Sequence, residues 1–289
     1  MKYLLAGSLA LLAAASVNAA RAADIPVKAP PAYSWTGCYV GANGGYGWNT
    51  GSLSYRDPNT DADPINHQPD IVPGITDAYI PTPASVGGSG GLAGVEGGCN
   101  WQMQQWVVGV EADFDWGHIS GSSTTSGNSG PLLEYKQSSV NGFYTSDTNT
   151  GTANEQVSIN WLSTVRARGG FAIQQNLLLY GTGGLAIGGV KTQGSITTSS
   201  PFPGFFNPAW AGASSAVKVG GVLGGGLEWA IYERWTLKAE YLWYDLGNAS
   251  HQLNCTPATC AVGDYTTLGS VSTSISGSIV RVGLNYRLW

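Results

Sequence analysis

Eight segments of the chain alternate apolar with polar residues or read as glycine-rich apolar runs, and none has a helical period. They are residues 35–48, 86–102, 105–119, 155–173, 177–190, 215–232, 235–246 and 276–289. Very short links follow the second, fourth and sixth segments, whereas long polar stretches follow the first, third, fifth and seventh. An up-and-down antiparallel sheet with tight turns at one end and long loops at the other has this arrangement. The sequence therefore predicts an all-β fold with eight antiparallel strands.

The charged residues of these segments share one parity, and apolar residues occupy the other. Within residues 105–119, Glu111, Asp113 and Asp115 could form a catalytic or metal cluster, or simply one wet face of a strand. Across the segments, six acids and six bases fall on this parity: Glu96, Glu111, Asp113, Asp115, Glu228, Glu240, Arg166, Arg168, Lys218, Lys238, Arg281 and Arg287. A Lys or Arg at the lipid midplane costs about 2–4 kcal/mol. Their segregation predicts a transmembrane β-barrel with the charges inside.

The interior of an eight-stranded barrel is only just wide enough for side chains to fill it. Unpaired charges there would be strongly disfavoured, so we expect a paired network and a narrow or blocked lumen. Arg166 and Arg168 are placed to meet the acids of the preceding strand. In the fourth segment the apolar, lipid-facing parity includes Val157 and Ile159. The fifth segment is apolar on both parities, so its faces cannot be assigned.

The first residues have the features of an export signal. One basic residue, an apolar run and small residues predict a signal peptide over residues 1–22, cleaved between Ala22 and Ala23. A proline-rich periplasmic linker is expected over residues 23–34, and the barrel over 35–289. Without the signal peptide, 11 basic and 18 acidic residues remain, which argues against a nucleic-acid partner.

The stretches AADIPVKAPPAYSWTGCYVGANGGYGW, GVEADFDW and IVRVGLNYRLW resemble the small outer-membrane immunogenic or porin-family proteins of alphaproteobacteria, which are related to OmpA/OmpX-type barrels. The resemblance implies insertion into the outer membrane by the barrel-assembly machinery, and contact with outer-membrane lipid and lipopolysaccharide. The alternation of short and long connections predicts that the long ones are four extracellular loops, at about residues 49–85, 120–154, 191–214 and 247–275. Leu288 occupies the usual place of a terminal aromatic residue and Trp289 follows it, which leaves the end of the last strand open. The oligomeric state is not fixed.

Four cysteines in an exported chain favour disulfides. Cys38 and Cys99 are expected on neighbouring antiparallel strands near the turn end, where directly opposed residues come within disulfide reach. Cys255 and Cys260 would then close a small ring in the last loop. Metal binding by these two residues with His251 is the alternative, although their spacing is not one that zinc sites use.

Two further motifs have a functional and a plainer interpretation. His118 beside Asp115 could belong to a hydrolytic site at the outer rim, but a polar loop residue is the simpler interpretation. Residues 57–64, DPNTDADP, imitate the start of a calcium loop but lack its glycine and its final glutamate, so a solvated turn is preferred. No catalytic, cofactor-binding or metal-binding residue is predicted.

The leading hypothesis is a non-enzymatic outer-membrane barrel that contributes to envelope integrity and displays its loops. A weak porin for small solutes is one alternative, and a surface protein that binds haem or a host surface through its loops is another. An enzyme at the rim is more distant. A soluble eight-stranded ligand-binding barrel is the rival fold, and it would place the apolar parity inside and the charges outside.

Overall fold

A computed structural model describes residues 33–56, 85–128, 132–133, 146–147, 150–199, 209–255 and 267–289. Its eight long strands are β1 (Gly37–Arg56), β2 (Ser85–Met103), β3 (Trp106–Asn128), β4 (Thr150–Gln174), β5 (Leu177–Ser199), β6 (Ala209–Tyr232), β7 (Trp235–Cys255) and β8 (Thr267–Arg287). A two-residue pair, Leu132–Leu133 with Ser146–Asp147, lies between β3 and β4 in the chain. The long strands close into an antiparallel barrel in the order β1-β8-β7-β6-β5-β4-β3-β2, as predicted.

Two-residue turns join β2 to β3, β4 to β5 and β6 to β7 at one end of the barrel, which we call the turn end. The opposite end is the loop end. In the first of these turns Gln104 adopts a φ of 58°. The final strand ends at Arg287, although the Leu288 amide still donates to the Cys38 carbonyl at 2.8 Å. The predicted signal peptide, its cleavage site between Ala22 and Ala23, and residues 23–32 of the predicted linker lie outside the described residues.

The outward face near the turn end is apolar, and tryptophans mark its two borders. One ring, nearer the turn end, contains Trp101, Trp106, Trp229 and Trp235. The other ring, called the upper girdle below, contains Trp48, Trp116, Trp161 and Trp243. Such rings mark the two interfaces of a membrane-spanning barrel. In β5, whose faces the sequence left unassigned, Leu178 and Tyr180 point inward, whereas Leu179 and Leu185 point outward. Among the described residues, no helix is long and apolar enough to cross a membrane.

The strands are longer than predicted because they continue past the upper girdle. They include residues 49–56, 85, 120–128, 150–154, 191–199, 209–214, 247–255 and 267–275, all of which fell within the predicted loops at 49–85, 120–154, 191–214 and 247–275. The outward residues in this extension are mostly Ser, Thr, Asn and Gln rather than apolar side chains. A polar, hydroxyl-rich strand has the composition of a loop, and this similarity explains the error.

Two strands also change which parity faces inward. In β4 the register shifts between Ile159 and Trp161, and Val157 and Ile159 point into the barrel, each 2% exposed. Their predicted lipid-facing position is therefore wrong. In β7 the change occurs around Gly247, whose φ is +72°. An extra residue in one strand of a pair transfers all later side chains to the opposite face.

The interior is layered along the barrel axis. Near the turn end, Trp35 packs with Val107, Leu178 and Tyr180. Next comes a charged layer, described below. An apolar layer follows at and above the upper girdle: Val86, Leu92, Ile119, Val157, Ile159, Leu162, Ala186, Val190, Val222, Leu242, Tyr244, Leu246, Ala249, Ile275 and Ile279. A smaller apolar cluster that includes Trp210 and Leu253 lies nearest the loop end.

Candidate functional site: the charged layer of the lumen

The charged layer is assembled by the register of neighbouring strands. Glu111 of β3 lies opposite Arg166 of β4, and Glu240 of β7 lies opposite Arg281 of β8. Opposite charges at directly paired positions on one face of a sheet stabilise the pairing. Ten of the twelve predicted lumen residues meet in this layer: Glu96, Glu111, Asp113, Asp115, Glu228, Glu240, Arg166, Arg168, Lys238 and Arg281.

Arg166 joins opposite walls of the barrel. Its guanidinium bonds the Asp113 carboxylate of β3 at 2.8 Å and also contacts Glu111. Its other terminal nitrogen donates to Glu240 of β7 at 2.9 Å. Because β5 and β6 separate β4 from β7 in the barrel, this bond crosses the lumen. The Arg166 side chain is fully buried.

Arg281 makes the same kind of bridge from β8. It donates to Asp113 at 2.7 Å and to Asp115 at 2.8 Å, both on β3. It also donates to Glu240 on the adjacent β7 at 2.8 Å. One guanidinium therefore meets three carboxylates on two strands. Bidentate and multiple bonds of this kind are the strongest that arginine makes with carboxylates.

Lys238 and Arg168 complete the layer. The Lys238 ammonium donates to Glu96 at 2.7 Å and to Glu111 at 3.0 Å. Arg168 bonds Glu228 at 2.7 Å, and its guanidinium lies 4.0 Å from the centre of the Tyr180 ring. This arrangement combines an ion pair with a cation–π contact.

Two tyrosines belong to the layer although the sequence analysis did not select them. The Tyr39 hydroxyl donates to Glu111 and accepts from Arg168 at 2.9 Å. The Tyr180 hydroxyl donates to Glu240 at 3.0 Å. Tyr39 has the lumen parity of β1, so its position could have been found; Tyr180 lies on the strand whose faces the sequence left unassigned.

Two predicted members lie outside the network. Lys218 has lumen parity on β6 but is only half-buried, and it forms no ion pair with the described residues. It lies opposite Gly188, at the level of the apolar layer. Arg287 lies at the turn end, where its guanidinium donates to the Ser34 carbonyl and packs 4.6 Å from the centre of the Tyr33 ring. Both residues have the predicted parity but lie at the wrong depth for the charged layer.

Arg287 takes part in closing the turn end. The Trp35 backbone amide donates to the Gln102 side chain at 2.7 Å, and the Trp35 side chain is 3% exposed within the barrel mouth. The backbone amide of Gln102 in turn donates to the Thr36 hydroxyl at 2.9 Å. Residues 33–36, which directly precede β1, thus lie across the turn end, so the last two residues of the predicted linker take part in this closure.

The predicted Cys38–Cys99 disulfide is present, with Cα atoms 4.0 Å apart at directly paired positions of β1 and β2. Cys260 lies outside the described residues, so its bond to Cys255 stays a prediction. The calcium-like motif at residues 57–64 also lies outside them.

His118 and Asp115 do not form a rim site. Asp115 points inward to Arg281, whereas the exposed His118 ring is 3.3 Å from the Asn160 side-chain oxygen. Residues that differ by an odd number along a strand point to opposite faces, and the sequence proximity was therefore misleading.

A buried pair that the sequence analysis missed lies beyond the upper girdle. His251 was expected in a loop, but it points inward from β7, with its Nε2 atom 3.5 Å from the Glu155 carboxylate of β4. Burial raises the pKa of Glu155 to about 7 and lowers the pKa of His251. The two side chains are 4% and 3% exposed. Glu155 starts the fourth predicted segment, but the parity change in β4 concealed its direction.

The chain is similar in sequence to known outer-membrane proteins. The family model for the outer membrane protein beta-barrel domain matches residues 8–287. The 31 kDa outer-membrane immunogenic protein of Brucella melitensis is 33% identical over 288 residues, covering 96% of this chain and 98% of the relative. The 22 kDa outer membrane protein of Rhizobium leguminosarum is 29% identical over 268 residues, covering 88% and 90%. The outer membrane protease OmpT of Escherichia coli matches with a TM-score of 0.41 and 9% identity, covering 90% and 99%.

Proposed function

Since the chain belongs to the family of outer membrane protein β-barrels and lies in the bacterial outer membrane, we propose that it is a non-enzymatic structural barrel with a closed lumen. The observation that carries the proposal is the pair of arginine bridges across the charged layer. Arg166 links β4 to β7, and Arg281 links β8 to β3. Strands on opposite sides of the barrel are therefore tied together through its centre.

Closure at this depth would exclude hydrated solutes for two reasons. The side chains of Arg166, Lys238 and Arg281 have no exposed surface, so no water-sized path runs beside them. Separating the charges to open a path would leave carboxylates and cations unpaired in a narrow space, which is strongly disfavoured.

The layers on either side support the same proposal. Toward the loop end, the interior is filled largely by packed hydrophobic side chains, which solvate a permeating ion poorly. Toward the turn end, Trp35 covers the barrel mouth and is fixed by Gln102. A channel would need to open all three levels. A rigid barrel that anchors its loops in the envelope needs none of them to open.

Conductance of the refolded protein in planar bilayers tests the closed lumen. We expect no single-channel steps, with insertion verified by heat-modifiable gel migration of protein recovered from liposomes. Trp35→Ala is the matched variant, because it uncovers the turn end alone. It should also show no conductance, since the charged layer and the apolar layer remain. Regular conductance steps in the unaltered protein, or swelling of protein-containing liposomes in small sugars, would instead establish the weak porin.

The structural role is tested in the producing bacterium. Deletion should increase sensitivity to detergents, and the intact gene should restore resistance, without a change in growth on limiting small solutes. A deletion strain with normal detergent resistance but slow growth on limiting solutes would contradict the proposal.

A further inference from the structure

The charged layer holds more acids than bases. Its carboxylates and cations belong to Glu96, Glu111, Asp113, Asp115, Glu228 and Glu240, and to Arg166, Arg168, Lys238 and Arg281. Four positive charges against six negative charges leave the layer with a formal charge of −2. Uncompensated charge in so narrow a space is strongly disfavoured, so the layer favours the binding of further positive charge.

The surplus of acceptor atoms is confined to two of the six carboxylates. Asp115 uses Oδ2 for Arg281, and Glu96 uses Oε2 for Lys238. The second oxygen of each is buried and accepts no hydrogen bond from the described residues. The other four carboxylates accept hydrogen bonds on both of their oxygens. The excess negative charge therefore has a definite place, at Glu96 and Asp115.

Two asparagines bring further oxygens to the same wall of the barrel. Asn43 on β1 and Asn285 on β8 are 7% and 1% exposed, and the Oδ1 atom of each also lacks a donor within the part of the chain that the structure describes. The Asn43 amide donates to the Glu96 carboxylate at 3.3 Å. The Asn285 Oδ1 atom lies over Gly41, which is paired with Glu96. Since β8, β1, β2 and β3 are neighbours, the four side chains converge from adjacent strands.

Glycines make room for the two free carboxylate oxygens. Gly94 lies between Asn43 and Asp115 at directly paired positions, and any Cβ on Gly94 would collide with Asp115 Oδ1. On the other side of Asn43, a Cβ on Gly283 would lie 2.9 Å from Glu96 Oε1. The two oxygens thus lie over bare backbone on either side of Asn43.

The four free acceptors are all hard oxygen donors, two from carboxylates and two from side-chain amides. Ca²⁺ binds six to eight such oxygens, including water, and tolerates irregular geometry. Mg²⁺ requires a nearly ideal octahedron, and zinc favours nitrogen and sulfur ligands. A divalent ion also carries the charge that would neutralise the layer.

We infer that the charged layer contains a calcium site formed by Glu96, Asp115, Asn43 and Asn285. The two carboxylates and the two amide oxygens would bind the ion, and water would fill its remaining positions. The ion would bond the oxygens that arginine and lysine leave free. The inference rests on the arrangement of the charged layer and not on the closed lumen, because a conducting barrel could bind the ion as well. Conductance and calcium binding are measured separately.

The first test compares two asparagine variants. The protein is refolded at a series of buffered Ca²⁺ concentrations in a detergent free of lipopolysaccharide, and bound calcium is measured by elemental analysis after gel filtration. We expect one ion per chain. Asn43→Ala removes one ligand and should raise the Ca²⁺ concentration at half-saturation about tenfold, which corresponds to about 1.4 kcal/mol.

Asn100→Ala is the matched control and should bind calcium as the unaltered protein does. Asn100 is equally buried, and its Oδ1 atom also lies without a described donor over a glycine, Gly109. That glycine lies against Arg168 rather than against the free carboxylate oxygens. No bound calcium in the unaltered protein, or equal half-saturation in the two variants, would overturn the inference.

The second test measures whether the ion stabilises the layer. The urea midpoint should be higher after refolding with Ca²⁺ than with EDTA, and Mg²⁺ at the same concentration should give a smaller shift. Asn43→Asp, which adds a third carboxylate, should enlarge the Ca²⁺ shift and provides the comparison if Asn43→Ala does not fold. An equal shift with Mg²⁺ would indicate general screening. An unchanged Ca²⁺ shift in both Asn43 variants would place the ion elsewhere, such as on the motif at residues 57–64. Either result would contradict the inference.

Discussion

The charged layer and the apolar layer occupy the same strands, yet their inner and outer faces are opposite in character. On β4, Arg166 points inward and Val165 points outward into the apolar band, 56% exposed. A few residues earlier on the same strand, nearer the loop end, Ile159 points inward and Gln156 points outward. The interior is thus charged in the layer that lipid surrounds, and mainly apolar at and beyond the upper girdle, where the Glu155–His251 pair is the exception discussed below.

The solvent outside explains the inversion. Within the membrane, an outward side chain must be apolar, and charge is confined to the lumen. Beyond the membrane, the outward side chains meet polar surroundings, so apolar residues gain from burial inside. A period of two identifies a strand at both levels, but the meaning of each parity depends on depth. The two layers should therefore fail in different ways when they are mutated.

Arg281→Ala should have the largest effect. It removes the guanidinium shared by Asp113, Asp115 and Glu240. Asp113 and Glu240 keep their bonds to Arg166, whereas the buried Asp115 carboxylate loses its only ion pair with the described residues. Breaking a buried ion pair on one side costs about 3–5 kcal/mol. Urea unfolding in detergent micelles, followed by heat-modifiable migration, measures this loss. The control is Val282→Ala, on the outward face beside it, and a loss no greater than that of the control would show that the charged layer is solvated.

Ile159→Ala tests the apolar layer and should cost about 2–4 kcal/mol, because it leaves a cavity in a tightly packed interior. Val165→Ala is the matched variant on the same strand, since Val165 faces outward. We expect it to cost less than about 1 kcal/mol in the same unfolding experiment. Equal costs would mean that Ile159 is not inside the barrel and that β4 keeps one parity throughout.

The charged layer could be predicted from sequence because lipid permits only one arrangement of charges. Glu111, Asp113 and Arg166 alternate with apolar residues over enough positions to identify the lumen face. Beyond the upper girdle, this constraint ends. The parity changes near Asn160 and Gly247 depend on one extra residue in a strand pair, which no period reveals. The position of a residue along the barrel axis is also not visible in the sequence. Lys218 and Arg287 were therefore assigned the correct parity but were wrongly placed in the charged layer.

Glu155→Gln should remove a pH dependence that belongs to the region beyond the upper girdle. Burial raises the Glu155 pKa from its ordinary value of 4.5 to about 7, so the folded protein retains a proton that the unfolded chain releases. The contribution of Glu155 to stability is thus complete below pH 4.5 and is lost as the pH rises through 7. The lowered pKa of His251 acts in the opposite direction, and its contribution is lost as the pH falls below 6.5.

The measurement is the difference in unfolding free energy between Glu155→Gln and the unaltered protein at pH 5 and pH 8. Relative to the unaltered protein, the unfolding free energy of the variant should be higher at pH 8 than at pH 5 by on the order of 1 kcal/mol, once solvent screening is allowed for. His251→Gln is the companion variant, because it removes the imidazole and keeps Glu155. A difference that does not vary with pH would show that Glu155 titrates normally.

Lys218→Gln should have the smallest effect on the free energy of unfolding. It tests whether the position of a lysine along the barrel axis matters, in addition to the face of the strand on which it lies. Lys218 and Lys238 both point toward the lumen, but only Lys238 lies in the charged layer, where it bonds Glu96 and Glu111. Lys238→Gln should therefore cost several kcal/mol, whereas Lys218→Gln should change the free energy of unfolding by less than about 0.5 kcal/mol. If parity alone governed the interior, the two substitutions would cost the same. A large loss in Lys218→Gln would require an anionic partner on a residue that the structure does not describe, and would extend the charged interior beyond the upper girdle.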